Sequence, residues 1–184
     1  MRVVDTRKGE ADSVLHILEP SAEKPRPGEK FLVEIDWERR HRLMRYHTAL
    51  HLLGAVVKAP VTGGRIGEDK AHLDFDVAME KLVKEEIEAR INALVEAAHD
   101  THASWITDGE LDARPDLVRT MSVAPPRSST AGAGRVRLME ISGVDLQACG
   151  GTHVANTREI GRLAVVRIRS EGKRNKRVTL AFAD

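Results

Sequence analysis

Two pairs of potential metal ligands, far apart in the sequence, constrain the fold of this chain more than any other feature. His47 and His51 lie four positions apart in a segment predicted to be helical, so both imidazoles face the same side, one turn apart. Cys149 and His153 have the same separation, and the glycines between them permit a tight turn. One cysteine and three histidines suit a tetrahedral zinc ion. A shared site would require the helix and the turn to meet.

Each pair taken alone has a simpler explanation. Two histidines at this spacing on a helix are more often incidental than a ligand pair, and a lone cysteine in a cytosolic chain is usually a small core residue. The pairs support each other because the only cysteine of the chain lies at ligand spacing from a histidine. The first pair is not a zincin motif, since Thr48 stands where that motif needs a glutamate as general base.

Composition excludes several classes of protein. The chain has 184 residues, of which 41% are hydrophobic, which suits one domain or one domain with a small appendage. A net charge of +1 favours neither a nucleic acid nor a membrane as partner, and no apolar run reaches the roughly 18 residues that span a bilayer. The charged start is not a signal peptide, and a single cysteine rules out an internal disulfide framework. These points favour a reduced, cytoplasmic compartment.

The apolar pattern predicts an α+β fold, a two-layer domain with a long helix and a largely antiparallel sheet, preceded by a partial small β unit. Residues 1–35 contain two predicted strands, Val14–Leu18 and Phe31–Ile35, on either side of a proline-rich loop. Two short strands do not make a stable sheet alone, so this unit depends on the rest of the chain or belongs to a larger β unit. We assign the second domain to residues 36–184.

Two helices and several short strands are predicted in the second domain. The first helix begins after the capping residue Asp36 and ends before Pro60. The glycine-rich stretch VTGGRIGEDK then breaks the helix, the alternating AHLDFDV forms a strand, and an amphipathic helix runs from about Val77 to Ala98. A flexible loop is predicted at Pro125–Gly134. The remaining predicted strands are ASWIT, LVRTMSV, RVRLMEI, GRLAVVRIRS and RVTLAFA.

A basic segment lies near the carboxyl end of the sequence. Residues 158–177 carry eight basic and two acidic side chains, with the charge concentrated at Gly172–Arg177. A solvated turn between two strands explains such a segment. A concentrated basic turn near a candidate active site is also how the backbone of a polyanion is held.

The motifs of the chain resemble the editing domain shared by alanyl-tRNA synthetase and the freestanding AlaX trans-editing proteins. HTALHLL resembles the first zinc motif of that family, and Val144–Gly161, VDLQACGGTHVANTREIG, resembles the second in nearly every position. TGGRIGEDKAHLDFD, EARINAL, LVRTMSV and RSEGKRNKRV resemble further family segments in the expected order. The similarity covers almost the whole chain, and the residues between Cys149 and His153 separate it from the related domain of threonyl-tRNA synthetase.

The resemblance implies a deacylase that acts in trans on mischarged alanine tRNA. It would hydrolyse the ester that joins serine above all, and also glycine, to that tRNA. The fuller family members begin with a small β-barrel that carries a G-G-G-Q segment, and residues 1–35 resemble only the tail of that barrel. Matched position by position, the zinc ligands are His47, His51, Cys149 and His153.

Five residues near the predicted ligands are candidates for a part in substrate binding or hydrolysis. The hydroxyl groups of Thr48 and Thr152 could bind a serine side chain or the attacking water, although Thr48 could instead bond back to its own helix. Gly150 and Gly151 could offer backbone N–H groups to a developing oxyanion. Asp145 is either a partner of a ligating imidazole or an aspartate on a surface loop.

Three functions are compatible with these residues. The leading one is a zinc-dependent aminoacyl-tRNA deacylase, in which zinc either activates water or anchors the substrate. The second is a zinc-stabilised module that binds tRNA or a protein without catalysis, and the third is a zinc hydrolase for a small ester or amide, against which the basic turn argues. The phosphate contacts to tRNA are expected from Arg45, Lys173, Arg174, Lys176 and Arg177.

Overall fold

The computed structural model describes residues 1–10, 13–20, 23, 25–119 and 134–183. Within them the fold is mixed α+β, with antiparallel strand pairs throughout, which confirms the predicted class. Most of the loop predicted at Pro125–Gly134 and the later part of LVRTMSV lie outside the described residues. No helix in the described ranges has the length and apolar character needed to cross a membrane.

The elements follow one another in a simple order. The helices are α1 (Trp37–Val57), α2 (Lys84–Glu96) and the short α3 (Asp108–Asp112), and 3₁₀ turns cover Met79–Lys81, Pro115–Leu117 and Thr157–Ile160. The strands are β1 (Val3–Lys8), β2 (Val14–Leu18), β3 (Val61–Ile66), β4 (Ala71–Phe75), β5 (Thr101–Thr107), β6 (Arg135–Ile141), β7 (Asp145–Ala148), β8 (Leu163–Ser170) and β9 (Lys176–Phe182).

The strands of the described residues form three antiparallel sheets. The strands β1 and β2 pair with each other, β5, β6 and β7 form a meander, and the largest sheet has the order β3-β4-β9-β8. Apolar side chains of α1 and α2 pack against this four-stranded sheet and form the main core. The layer arrangement places the middle of α1 between the large sheet and β7, where the residues of interest lie.

The long helix α1 forms as the sequence predicts. The carboxylate of Asp36 accepts a hydrogen bond from the backbone N–H of Arg39 at 3.0 Å, which satisfies one of the free donors of the first turn. The helix ends at Lys58, whose left-handed conformation lets its N–H bond back to Gly54. Both Leu52 and Leu53 are fully buried, so the second half of α1 is surrounded by the core rather than lying on it.

Three details differ from the sequence predictions. Residues Phe31–Ile35 are not a strand, and Leu32 is fully exposed, because no strand among the described residues pairs with this apolar run. The stretch Val61–Ile66 is an edge strand rather than a break, since pairing with β4 supplies its hydrogen bonds and edge strands tolerate glycine. The second helix begins at Lys84, because a 3₁₀ turn occupies the residues before it.

The amino-terminal hairpin differs from the rest of the chain. β2 has the predicted bounds, and β1 pairs with it to form a sheet of two strands. Every residue of β1 is exposed, including Val3 and Val4. The division of the chain into residues 1–35 and 36–184 stays a prediction.

Candidate metal centre

The two predicted ligand pairs meet in the folded chain. The ligand atoms of His47, His51, Cys149 and His153 all lie within 4.8 Å of one another. Cys149 Sγ is 3.5 Å from His47 Nε2 and 3.4 Å from His153 Nε2. In the described part of the chain, these three histidines and one cysteine form a group that could hold a metal ion.

The helical half of the cluster is positioned by the backbone of α1. His47 and His51 lie one turn apart on the same face, with ring centroids separated by 5.2 Å. Neighbours of the pair along the helix, such as Ala49 and Leu52, are fully buried, so the helix can neither rotate nor slide without disrupting the core. The main core therefore holds the histidine pair in place.

The other half is a turn that side chains hold in shape. β7 ends one residue before Cys149, whose N–H donates to the carbonyl of Arg137 on the adjacent strand at 3.0 Å. The guanidinium of Arg137 in turn donates to the carbonyl oxygens of Cys149 and Gly151, at 3.1 and 2.7 Å. The sequence did not indicate this role of Arg137, because the alternation of β6 alone does not show that its side chain reaches a turn.

Gly151 leaves room for the ring of His47. A Cβ atom at this position would lie 2.0 Å from His47 Cε1, far inside any permitted contact. The N–H of Gly151 also donates to Cys149 Sγ at 3.4 Å. The glycine thus lets the turn come close to the helix and directs a donor at the sulfur.

Hydrogen bonds connect the helical ligands to β7 and the turn ligands to α1. Thr48, on α1, donates its hydroxyl proton to the carbonyl of Met44 at 3.1 Å and accepts from His153 Nδ1, also at 3.1 Å. Asp145, at the start of β7, accepts from His51 Nδ1 at 3.0 Å. These bonds engage the Nδ1 atoms of His51 and His153, so Nε2 is the atom that each of these imidazoles has left for a ligand.

Charge at the cluster favours a thiolate. Burial alone would raise the pKa of the Cys149 thiol, but hydrogen bonds from His153, His47 and His51 lower that pKa to about 3. Burial lowers the pKa of His153 to about 4. For His51, burial acts in the same direction, yet the hydrogen bonds to Asp145 and Cys149 outweigh it and raise the pKa to about 9.

The donor set fits a tetrahedral zinc ion. Zinc holds nitrogen and sulfur ligands at about 2.0–2.3 Å, so neighbouring ligand atoms of a tetrahedron lie about 3.3–3.8 Å apart. Both distances measured from Cys149 Sγ fall in this range. The described residues therefore form a centre that could hold a metal ion.

A cavity of about 520 Å³ opens beside the cluster, and we call it the ligand cavity. His47 and His51 form part of its wall, together with the polar residues Arg119, Asp145 and Gln147. Other residues that line the cavity are apolar and include Leu50, Val61, Ile66 and Leu73. Its size falls in the range of about 300–1,000 Å³ that is usual for sites that bind small organic groups.

The polar wall forms one connected group. The amide nitrogen of Gln147 lies 2.6 Å from Asp145 Oδ2 and 3.0 Å from His51 Nδ1. Arg119 Nη2 lies 3.6 Å from the other oxygen of Asp145. Burial would raise the pKa of Asp145, but these neighbours, with His51 first, hold it below its usual value. The sequence did not indicate Gln147, because β7 is too short for its alternation to be recognised, nor Arg119, which is distant in sequence from the other residues of the group.

The predicted catalytic candidates have different surroundings. Thr48 is fully buried, and its hydroxyl faces the protein interior, so of the two expectations the bond to its own helix is the one that the structure contains. The N–H of Gly151 is directed at Cys149. Gly150 and Thr152 are exposed next to the cluster and do not line the ligand cavity.

Two residues of the predicted tRNA contacts form ion pairs within the chain. Arg177 binds Asp74 through two hydrogen bonds of 2.7 and 2.9 Å, which lower the pKa of that carboxyl. Arg174 Nε donates to Asp76 at 2.9 Å, although its side chain remains 73% exposed. The charge of Arg177 is thus largely neutralised by a neighbour, whereas Arg174 can also reach a partner in solvent.

The other three residues predicted to contact tRNA differ in their burial and in their hydrogen bonds. Lys176 is buried, and its ammonium group donates to the carbonyl oxygens of Gly172 and Lys173 at 2.8 and 3.0 Å. Arg45 donates to the carbonyl of Ile160 at 2.8 Å and is half-buried. Lys173 is exposed on the turn between β8 and β9.

The sequence is similar to two groups of known proteins. Residues 136–179 match the family model described as the threonyl and alanyl tRNA synthetase second additional domain. The chain is 32% identical over 171 residues to the alanyl-tRNA editing protein AlaX-M of Methanosarcina mazei, covering 90% of this chain and 66% of that protein. It is also 32% identical over 180 residues to AlaX-M of Saccharolobus solfataricus, covering 96% and 73%.

A much longer protein matches the same region. The alanine–tRNA ligase of Metallosphaera sedula is 33% identical over 174 residues, which are 91% of this chain and 19% of the ligase. The chain therefore spans about two thirds of the length of the first editing protein and a small part of the synthetase.

Proposed function

The chain belongs to the AlaX family of alanyl-tRNA editing proteins, and on that premise we propose that it hydrolyses the ester bond of mischarged alanine tRNA in trans. Serine is the main amino acid removed, and glycine is a second substrate. The observation that carries the proposal is the junction of the ligand cluster with the ligand cavity, since His47 and His51 belong to both. We also propose a cytosolic location, where a lone cysteine stays reduced.

We propose that His47, His51, Cys149 and His153 hold zinc. The lowered pKa of Cys149 supports this, because it favours a thiolate, and the bonds at Nδ1 of His51 and His153 leave Nε2 as the ligand atom of each ring once its proton is displaced. Zinc, when bound, supplies a Lewis acid that polarises a carbonyl oxygen or lowers the pKa of a water molecule to about 7.

The ligand cavity receives the esterified amino acid in this proposal. Gln147 and Arg119 offer hydrogen-bond donors among its polar lining residues, and Gln147 lies close to His51. The apolar lining residues contact the remainder of the terminal nucleotide. A cavity that hydrogen-bonds the hydroxyl of serine leaves its own polar group unpaired when alanine enters, which costs about 1–3 kcal/mol. Alanine is therefore spared by loss of a partner rather than by a steric clash.

The test compares three substrates and two variants. Seryl-, glycyl- and alanyl-tRNA, all on alanine tRNA, are incubated with the wild type, with Cys149→Ala and with His102→Ala, whose exposed histidine lies on β5 away from the cluster. Bound zinc is quantified in each protein. We expect rapid loss of serine, slower loss of glycine and stable alanyl-tRNA with the wild type and His102→Ala, and loss of both activity and zinc in Cys149→Ala.

Two outcomes would contradict the proposal. A folded, zinc-loaded wild type that binds alanine tRNA without hydrolysing it would leave a binding module as the function. Hydrolysis that persists in Cys149→Ala after the zinc is lost would separate the reaction from the cluster.

A further inference from the structure

A second open cavity, of about 630 Å³, lies next to the ligand cavity, and four lysines line it. Lys58 follows α1, and Lys81 ends the 3₁₀ turn before α2. Lys173 lies on the turn between β8 and β9, and Lys176 is the first residue of β9. These segments are far apart in the sequence and converge only in the fold. We call this cavity the lysine pocket.

The charge of the lysine pocket is not balanced within the chain. Asp76 is the carboxylate among its described lining residues, and Arg174 already binds that carboxylate. No ion pair or hydrogen bond joins the ammonium groups of Lys58, Lys81 or Lys173 to another side chain in the described part of the chain. Like charges that converge in this way repel one another unless an anion lies between them.

Local structure explains only part of this concentration of positive charge. The carboxyl end of α1 carries a partial negative charge, which favours one cation such as Lys58. It does not account for lysines on two other elements. Lys58 also has φ 53°, a conformation in which glycine or asparagine is usual, so the side chain is kept at a position that does not favour it.

The position of the lysine pocket indicates what binds there. Ala59 lines both this pocket and the ligand cavity, so the two adjoin. A strand of RNA whose last nucleotide enters the ligand cavity would lay its preceding phosphates against the lysines, and lysine is a usual point-charge partner of phosphate.

Building on the proposed function, we propose that the lysine pocket binds the phosphodiester backbone of the single-stranded 3′ end of the tRNA, next to the esterified nucleotide. Lys58, Lys81 and Lys173 supply the contacts from solvent-exposed positions. The buried Lys176 adds positive charge at the base, where two backbone carbonyls fix its ammonium group. Lys58 and Lys81 thereby join the tRNA contacts that the sequence suggested.

The test is the salt dependence of RNA binding by two matched variants. The pocket variant is Lys58→Gln, Lys81→Gln and Lys173→Gln, and the control variant, with the same change in net charge, is Lys8→Gln, Lys30→Gln and Lys84→Gln, which are exposed elsewhere. Each protein is titrated with uncharged alanine tRNA, intact or trimmed of its single-stranded 3′ end. Thermal unfolding shows that both variants fold.

With intact tRNA we expect the pocket variant to bind more than tenfold more weakly than the control at low salt. The slope of log Kd against log salt should fall by about 2, because each contact with a single-stranded phosphate contributes about 0.7. With trimmed tRNA the two variants should bind alike. Equal binding of intact tRNA by both variants, or an equal defect on trimmed tRNA, would overturn the inference, as would a wild type that binds no tRNA.

Hydrolysis of seryl-tRNA separates this inference from the proposed function. If the wild type hydrolyses the ester, the rise in KM of the pocket variant should exceed any fall in kcat. A wild type that binds through the lysine pocket but hydrolyses nothing would support the inference and defeat the proposed function. Hydrolysis with the same KM in both variants would do the reverse.

Discussion

The two halves of the ligand cluster reach the same arrangement by different means. His47 and His51 are fixed by the repeat of a helix whose neighbouring residues are buried in the main core. Cys149 and His153 lie on a turn between short elements, and contacts from other segments hold that turn. A local backbone rule is sufficient for the first half, whereas the second depends on the whole fold.

The turn should therefore be the half of the cluster that a single substitution disrupts more easily. A substitution in α1 that leaves the ligands intact must overcome a buried helix of several turns before it moves them. In the turn, a single side chain such as Arg137 holds two carbonyl groups, and a single missing Cβ at Gly151 leaves space for a ligand. Substitutions that spare all four ligands can therefore test the difference.

The largest difference in zinc affinity is expected between two variants that each replace a glycine by alanine, one in the turn and one in α1. Gly151→Ala places a methyl group on the ring of His47, so the turn must move and zinc affinity should fall more than 100-fold. Gly54→Ala on α1 meets nothing within 4 Å and should stabilise the helix by about 0.5–1 kcal/mol. Zinc competition titrations and thermal unfolding measure both. Equal zinc affinity in the two variants would contradict the claim that the turn is more easily disrupted than α1.

A smaller loss should follow removal of the contact that shapes the turn. Arg137→Met leaves the carbonyl groups of Cys149 and Gly151 without their donor, which should cost about 1–3 kcal/mol of unfolding free energy. Zinc affinity should fall about 10–100-fold, as it does when outer partners of a metal site are removed. Arg135→Met, on the same strand but exposed, is the control and should change neither value.

Part of the fold and part of the ligand cluster could be predicted from the sequence. The ligand pairs, α1 with its cap at Asp36, and the α+β class follow from spacing, periodicity and capping, which are local properties. Arg137, Gln147 and Arg119 could not be found, because their importance comes from segments that meet only after folding. The prediction of Phe31–Ile35 as a strand was wrong for the same reason, since no described strand pairs with it in the folded chain.

A smaller loss of zinc affinity should follow when the hydrogen bond between Thr48 of α1 and His153 of the turn is removed. Thr48→Val keeps the shape of the side chain but removes the acceptor of His153 Nδ1, so zinc affinity should fall about 10-fold and stability by about 1–3 kcal/mol. Thr62→Val, on β3, is the control, and the hydroxyl of Thr62 donates to the carbonyl of Asp74 rather than to a ligand. A larger loss from Thr62→Val, in isothermal titration with zinc, would show that the hydrogen bond between Thr48 and His153 is unimportant.

The smallest effect concerns the charge of Asp145 and depends on pH. Its folded pKa is lowered, so the carboxylate stabilises the fold above its ordinary pKa of about 3.9, and this stability is lost as the pH falls through the lower folded value. Asp145→Asn in zinc-free protein should therefore be less stable than the wild type at pH 7, and the difference should shrink as the pH falls below the ordinary pKa. Urea unfolding over a series of pH values measures this, and a difference that grows as the pH falls would contradict the sign.

The most direct test of the joined cluster is the coordination of the bound metal. X-ray absorption at the zinc edge of the wild type, loaded with one equivalent of zinc, should give one sulfur ligand at about 2.3 Å and three nitrogen ligands at about 2.0–2.1 Å. This result requires that Cys149 on the turn and the histidines of α1 bind the same ion. A spectrum with no sulfur ligand, or with oxygen ligands alone, would contradict the account.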